Sequence, residues 1–159
     1  MHTLDVRDGG SGALLRTIRM RRTIDLGRSG NGFGLLTTSA AVSAATGRVF
    51  VADGSTNAVS ILDGRDGSIL RTVMVGRRPG GLVVDDRAHR IFVVNEGDGA
   101  HPGTVSVLDA TSGNVVDVIP VGVVGTAPAA IALDAARGHV FVVNVGNRTV
   151  SVLDANLAH

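Results

Sequence analysis

The residues with the clearest chemical potential lie in one glycine-rich stretch, Asn95–Gly103, which contains Glu96, the only glutamate of the chain. Asp98 and His101 follow within the same stretch. Carboxylate oxygens suit Ca²⁺, and an imidazole nitrogen beside them is typical of transition-metal sites. The spacing matches no recognised metal-binding loop. We therefore predict a solvated loop without a metal, in which Glu96, Asp98 and His101 are candidates for ligand binding.

Four further candidates for ligand binding lie in other loops: Asn31, Arg77, Arg78 and Asn144. The stretch Gly27–Gly34, which contains Asn31, is rich in glycine like a phosphate-binding loop. No helix is predicted after it, so the helix dipole that completes such a site is missing. We interpret it as a flexible connector.

Catalytic motifs are absent from the sequence. The chain has no cysteine, no Gly-x-Ser-x-Gly and no His-Glu-x-x-His. The carboxylate pair Asp85-Asp86 occurs in a predicted turn. We therefore name no catalytic residue and no cofactor, and we favour a protein that is not an enzyme.

The charge of the chain argues against a general attraction to nucleic acid or to membranes, since the formal net charge is only +1. Five arginines do cluster near the N-terminus, at positions 16, 19, 21, 22 and 28. Single-stranded nucleic acid is usually held by aromatic stacking beside positive charge, and this chain has four phenylalanines and no tyrosine or tryptophan. We therefore prefer a charged edge strand, which resists aggregation. No apolar run approaches the length of a membrane span.

Two short blocks recur along the chain and predict its architecture. Val-Ser-x-Leu-Asp occurs at Val59–Asp63, Val105–Asp109 and Val150–Asp154, so the closing aspartates are 46 and 45 residues apart. A Phe-Val block precedes each copy, at Phe50–Asp53, Phe92–Asn95 and Phe141–Asn144. A period of 40–50 residues with β-branched segments indicates the blades of a β-propeller.

Each repeat divides into four short segments with strand character, bounded by Gly, Asn, Asp and Ser. In the best copy they are 81–85, 90–95, 104–109 and 114–121. We predict an all-β fold of four-stranded antiparallel blades, with Phe50, Phe92 and Phe141 buried at equivalent sites between them. The closing aspartates Asp63, Asp109 and Asp154 precede turns, so we predict that each accepts hydrogen bonds from its own turn.

The blocks Phe92-Val93-Val94-Asn95 and Phe141-Val142-Val143-Asn144 resemble the YVTN family of β-propeller repeats and its YncE-like members. Phenylalanine replaces the tyrosine of the family pattern, and the similarity extends over residues 40–155. The resemblance implies a binding scaffold in a periplasmic or extracellular location, although the sequence begins without a signal peptide pattern. It leaves open a fragment of a propeller enzyme, lactonase-like or quinoprotein-like, and a structural cell-surface repeat.

The number of repeats is too small for a closed ring. We treat residues 1–159 as a single repeat region in which 1–39 are divergent, and we place an eroded copy at Leu4-Asp5. That phase predicts a lone outer strand near Arg16–Leu26, two complete blades and three strands of another. Propellers usually close with 4–8 blades. We therefore expect either further blades in a longer chain or self-association of two chains into a ring. The ligand that the loops bind is an unidentified protein or small molecule.

Overall fold

The computed structural model describes residues 3–7, 11–19 and 38–156, in which every regular element is a β-strand. The all-β prediction is confirmed. The strands are β1 (Thr3–Arg7), β2 (Leu14–Arg19), β3 (Thr38–Ser43), β4 (Arg48–Asp53), β5 (Ala58–Asp63), β6 (Ile69–Met74), β7 (Pro79–Asp85), β8 (Arg90–Asn95), β9 (Thr104–Asp109), β10 (Val115–Pro120), β11 (Pro128–Asp134), β12 (His139–Asn144) and β13 (Thr149–Asp154).

The strands form antiparallel sheets in which each strand pairs with its neighbours in sequence. Strands β3–β6 and β7–β10 make two four-stranded sheets, and β11–β13 make a three-stranded sheet. The first strands of these sheets, β3, β7 and β11, lie side by side. The predicted four-stranded blades are therefore present as two complete sheets and one sheet of three strands.

The main core lies between the sheets, in two layers of apolar side chains, and a smaller buried cluster of Val49, Val51 and Leu62 lies on the other face of β4 and β5. One layer joins the sheet β3–β6 to the sheet β7–β10 around Phe50 and Ile91, and the next joins β7–β10 to β11–β13 around Phe92 and Val140. Strand β8 is buried on both faces because it lies between the two layers. Burial on both faces accounts for the continuous apolar run of this strand.

The third phenylalanine departs from the prediction. Phe50 and Phe92 are fully buried, whereas Phe141 is only half-buried. Its neighbours on the same face, Val143 and Val152, are 42% and 56% exposed. The sequence position is equivalent, but within residues 38–156 no fourth sheet covers this face of β11–β13.

The N-terminal part of the repeat also departs from the prediction. The predicted lone outer strand is paired, since β2 forms a two-stranded sheet with β1. Arg7 pairs with Leu14, with a bulge before Arg7, as Leu62 pairs with Ile69 with a bulge before Leu62. Arg7 therefore takes the position of Leu62, and the repeat phase lies three residues later than the Leu4-Asp5 match implied.

Candidate functional site

Two loops of the second four-stranded sheet lie together at one end of the strands. The loop between β6 and β7 receives two backbone hydrogen bonds from the loop after β8: Glu96 N–H donates to Arg78 O at 3.0 Å and Gly97 N–H to Arg77 O at 3.1 Å. The backbone N–H of Arg78 donates to Asn57 Oδ1 at 2.8 Å, which ties the pair to the preceding sheet. These bonds hold the two arginines beside the enlarged loop.

Five of the predicted site residues meet in these loops, and we call them the charged loop cluster: Arg77, Arg78, Glu96, Asp98 and His101. Arg77 Nη1 lies 2.8 Å from Asp98 Oδ2, and Arg78 Nη2 lies 3.4 Å from Glu96 Oε2. His101 Nδ1 lies 2.7 Å from the other oxygen of Asp98. Residues up to 24 positions apart in sequence therefore meet in two ion-paired groups, Arg77–Asp98–His101 and Arg78–Glu96.

Asp98 contacts both Arg77 and His101, and these contacts stabilise its carboxylate form. The hydrogen bond with the His101 side chain is the main reason that the pKa of Asp98 is lowered from its ordinary value. Backbone N–H groups of His101 and Ala100 and the charge of Arg77 act in the same direction. Asp98 is therefore a fixed anion near neutral pH and is poorly suited to act as a general base.

The basic side chains of the charged loop cluster are more exposed than its carboxylates. The side chains of Arg77, Arg78 and His101 are 55%, 47% and 56% exposed, whereas Glu96 and Asp98 are 20% and 27% exposed. The less exposed carboxylates hold the arginine side chains in position. The exposed guanidinium groups keep N–H donors that are accessible to a ligand. Such a surface is suited to an acidic group of a ligand or partner.

Asn144 lies apart from this cluster, at the end of β12. It is 1% exposed, and its Nδ2 donates to Thr149 Oγ1 at 3.2 Å and to Ser151 Oγ at 2.9 Å. Asn95 makes the same two contacts with the third strand of its own sheet. The structure therefore gives Asn144 a place in strand pairing. Asn31 lies outside the described residues.

The corresponding loops of the third sheet carry an apolar surface that was not predicted from the sequence. Val145 N–H donates to Ala127 O at 3.1 Å, as Glu96 N–H does to Arg78 O. Val123, Val124 and Val145 are 74%, 50% and 57% exposed, and we call them the valine patch. In the sequence these valines adjoin glycines and lie outside the predicted strands, and this position could have indicated that they are exposed.

The charged loop cluster and the valine patch lie on the same end of neighbouring sheets. Gly103, which closes the enlarged loop, packs against the ring of Pro128 so closely that a Cβ at this position would overlap it. Pro128 begins β11 directly after the loop of Val123 and Val124. The enlarged loop therefore adjoins the apolar loop, and together they form a mixed surface.

The closing aspartates lie at the opposite end, where they stabilise turns as predicted. In each turn, a backbone N–H two or three residues further on donates to the aspartate Oδ1. The shortest distances are 2.7 Å for Asp63, 2.6 Å for Asp109 and 2.8 Å for Asp154. The N–H of Ser112 is the main cause that lowers the pKa of Asp109.

A polar cavity of about 330 Å³ also opens at this opposite end, between the second and third sheets. One sheet earlier, the side chain of Asp86 bridges the gap and accepts a hydrogen bond from Ser43 Oγ at 2.6 Å. Ala135 holds the corresponding position in the third sheet. In place of such a bridge, the second and third sheets are joined here by a longer hydrogen bond, from Arg87 Nη1 to Ala135 O at 3.4 Å. The cavity is lined by Asp85, Arg87, Ala88, Ala135, Ala136, Arg137, Gly138 and Asn156.

Two kinds of feature are absent from the described residues. Among residues 3–7, 11–19 and 38–156, no three side chains of His, Asp or Glu lie together in a way that could hold a metal ion. The same part of the chain contains no helix with the length and apolar character needed to cross a membrane.

Comparison with solved structures shows a β-propeller-like fold. Hydrazine synthase from Kuenenia stuttgartiensis matches with a TM-score of 0.62 and 21% identity over 72% of this chain and 31% of that chain. Sqt1 from Saccharomyces cerevisiae matches with a TM-score of 0.60 and 13% identity over 77% and 32%. A functionally unknown protein from Desulfotomaculum acetoxidans matches with a TM-score of 0.61 and 15% identity over 95% and 47%.

The chain spans less than half the length of each of these structures. No family model and no curated protein matches it. At these identities the likeness concerns the fold alone, since one fold can carry many functions.

Proposed function

We propose that this chain is a non-enzymatic binding scaffold built from YVTN-type β-propeller repeats, and that it binds through the end formed by the charged loop cluster and the valine patch. The repeat blocks around Asn95 and Asn144 support the family assignment. The observation that supports binding is the mixed surface: exposed guanidinium groups and exposed valines lie on loops at the same end of two neighbouring sheets, and these loops adjoin where Gly103 packs on Pro128.

The chemistry of this surface favours a segment that is both acidic and apolar. Arg77 and Arg78 offer N–H donors to carboxylates, while Val123, Val124 and Val145 offer apolar area. The network of hydrogen bonds and ion pairs holds the loops in place before the partner arrives, which reduces the entropy lost on binding. We therefore infer that the partner is a peptide segment with alternating acidic and apolar side chains.

A tryptophan-containing peptide of alternating glutamate and leucine tests this proposal directly. The chain has no tryptophan or tyrosine, so the indole fluorescence belongs to the peptide alone. We expect saturable binding that weakens as salt is added, because exposed charges are screened. Binding that does not depend on salt would contradict the role of the arginines.

Two variants locate the binding surface. The double variant Arg77→Ser and Arg78→Asn removes both guanidinium groups, and asparagine tolerates the positive φ of 54° at position 78. Arg65→Ser is the matched control, since Arg65 is an exposed arginine in a turn at the opposite end. We expect weaker binding for the double variant only. Equal affinities for all three proteins would refute the assignment of this surface.

A further inference from the structure

Among the described residues, the outer edge of β13 lacks the fourth strand that completes the other two sheets. In the two complete sheets, the third strands β5 and β9 pair with fourth strands β6 and β10. In the described part of the chain, no strand pairs with the corresponding edge of β13. An open edge presents unpaired backbone N–H and C=O groups, which can accept another strand.

The face beside this edge shows the same incompleteness. Val150 and Val152 are both 56% exposed, whereas their counterparts Val105 and Val107 are 0% and 3% exposed. Exposed apolar groups on a sheet whose other face is already packed mark a surface suited to further association. Adding a strand at β13 would continue a sheet that already has one interface, against β7–β10.

The strand that fits this edge is present in the same chain. The pairing of β2 with β1 repeats the pairing of fourth with third strands: Asp5 pairs with Thr17, as Ser60 pairs with Thr72 and Ser106 with Val118. The bulge falls at the same step in all three ladders. By its register, β2 is therefore a fourth strand.

We propose that β2 of a second copy of this chain adds to β13 as its fourth strand, with Thr17 opposite Ser151. In the isolated chain, β2 belongs to a two-stranded sheet, and such hairpins are marginally stable in water. In the proposed dimer, β2 joins the three strands β11–β13 of the other copy, which already pack on a neighbouring sheet. This pairing of β2 with β13 keeps the register seen between β5 and β6 and between β9 and β10, and it places β2 in a more stable sheet.

Mixing two single-cysteine variants tests the proposal, because the chain has no native cysteine. One protein carries Ser151→Cys, and the other carries Thr17→Cys with a tag that changes its mass. Residues directly opposite in an antiparallel pair have Cα atoms about 4.5–5.5 Å apart, which is within the range of a disulfide. Under mild oxidation we expect the mixed dimer to form several-fold faster than either homodimer.

Ile18→Cys in place of Thr17→Cys is the matched control for register, since adjacent residues of a strand point to opposite faces. We expect little mixed dimer from Ser151→Cys with Ile18→Cys. Equal yields from positions 17 and 18 would overturn the proposed pairing. Circular dichroism checks that each variant keeps the β-spectrum of the wild-type protein.

The second copy is tested separately from the register. In the double variant with both cysteines on one chain, a disulfide within the monomer would overturn the role of a second copy. Sedimentation of the wild-type protein should show a mass that rises from monomer to dimer with concentration. A monomer at all accessible concentrations would also refute the proposal. Neither result depends on whether the charged loop cluster and the valine patch bind a peptide.

Discussion

Replacing Phe92 or Phe141 by alanine measures how much the neighbouring sheet contributes to stability. The two residues hold equivalent positions in the repeat, but only Phe92 is covered on both sides. Phe92 is fully buried between two sheets, so Phe92→Ala removes its contacts and leaves a cavity, at a cost of about 3–5 kcal/mol in free energy of unfolding. Phe141 is half-buried on an uncovered face. Full burial of such a side chain contributes about 1.5–3 kcal/mol, so the partial burial of Phe141 contributes less than this, about 1–2 kcal/mol.

Urea unfolding followed by far-ultraviolet circular dichroism measures both costs, at the lowest protein concentration that the signal allows. Dilution matters because association could cover Phe141. Val118→Ala is the control, since Val118 is 50% exposed on β10 and its truncation should change the stability by less than about 0.5 kcal/mol. If Phe92→Ala and Phe141→Ala cost the same, the argument that burial by the next sheet sets the difference is wrong.

Two further predictions concern a turn and the pH dependence. Gly113→Ala should destabilise by about 1–3 kcal/mol more than Gly47→Ala, because both glycines have positive φ but only a Cβ at 113 would meet Ile61, at 2.5 Å; equal urea midpoints would contradict this. The pKa values of Asp98, Asp109 and Asp134 are lowered in the folded chain by hydrogen bonds, chiefly from His101, Ser112 and Arg137 respectively. Their contribution to stability is therefore complete above the ordinary pKa of about 4 and is lost as the pH falls through the lowered values. The urea midpoint should stay level from neutral pH to about pH 5 and fall below about pH 4, and a decline that starts well above this range would count against these carboxylates.

The strands could be predicted from the sequence because their causes are local. β-branched runs such as Arg90–Asn95 and Thr104–Asp109 occupy the predicted positions, and the turn residues between them set the ends of the strands. Asp109 caps the turn that follows it with hydrogen bonds inside the turn itself. Interactions between residues close in sequence need no knowledge of the rest of the molecule.

The phase of the first repeat shows where a short match misleads. Leu4-Asp5 matches the end of the Val-Ser-x-Leu-Asp block, but the ladder places Arg7 at the position of Leu62. Two residues carry too little information to set a register. The pairing of backbone groups along the whole β1–β2 ladder sets it instead.

The candidate site was visible only in part. Glu96, Asp98 and His101 share one unusual loop, so the sequence marked them together. Their connection to Arg77 depends on the antiparallel arrangement that returns β8 to the start of β7. The valine patch was missed because valine in a repeat of this kind is usually a core residue, and only the loop conformation exposes it.

The amino-acid sequence by itself therefore determined the repeat, the strands and the turns, since side-chain alternation and turn chemistry act over a few residues. The tertiary structure decided which sheets are covered by a neighbouring sheet on both faces. Phe50, Phe92 and Phe141 hold equivalent positions in the repeat, yet only the third is incompletely buried, because burial depends on the surface that lies opposite and not on the residue's own strand.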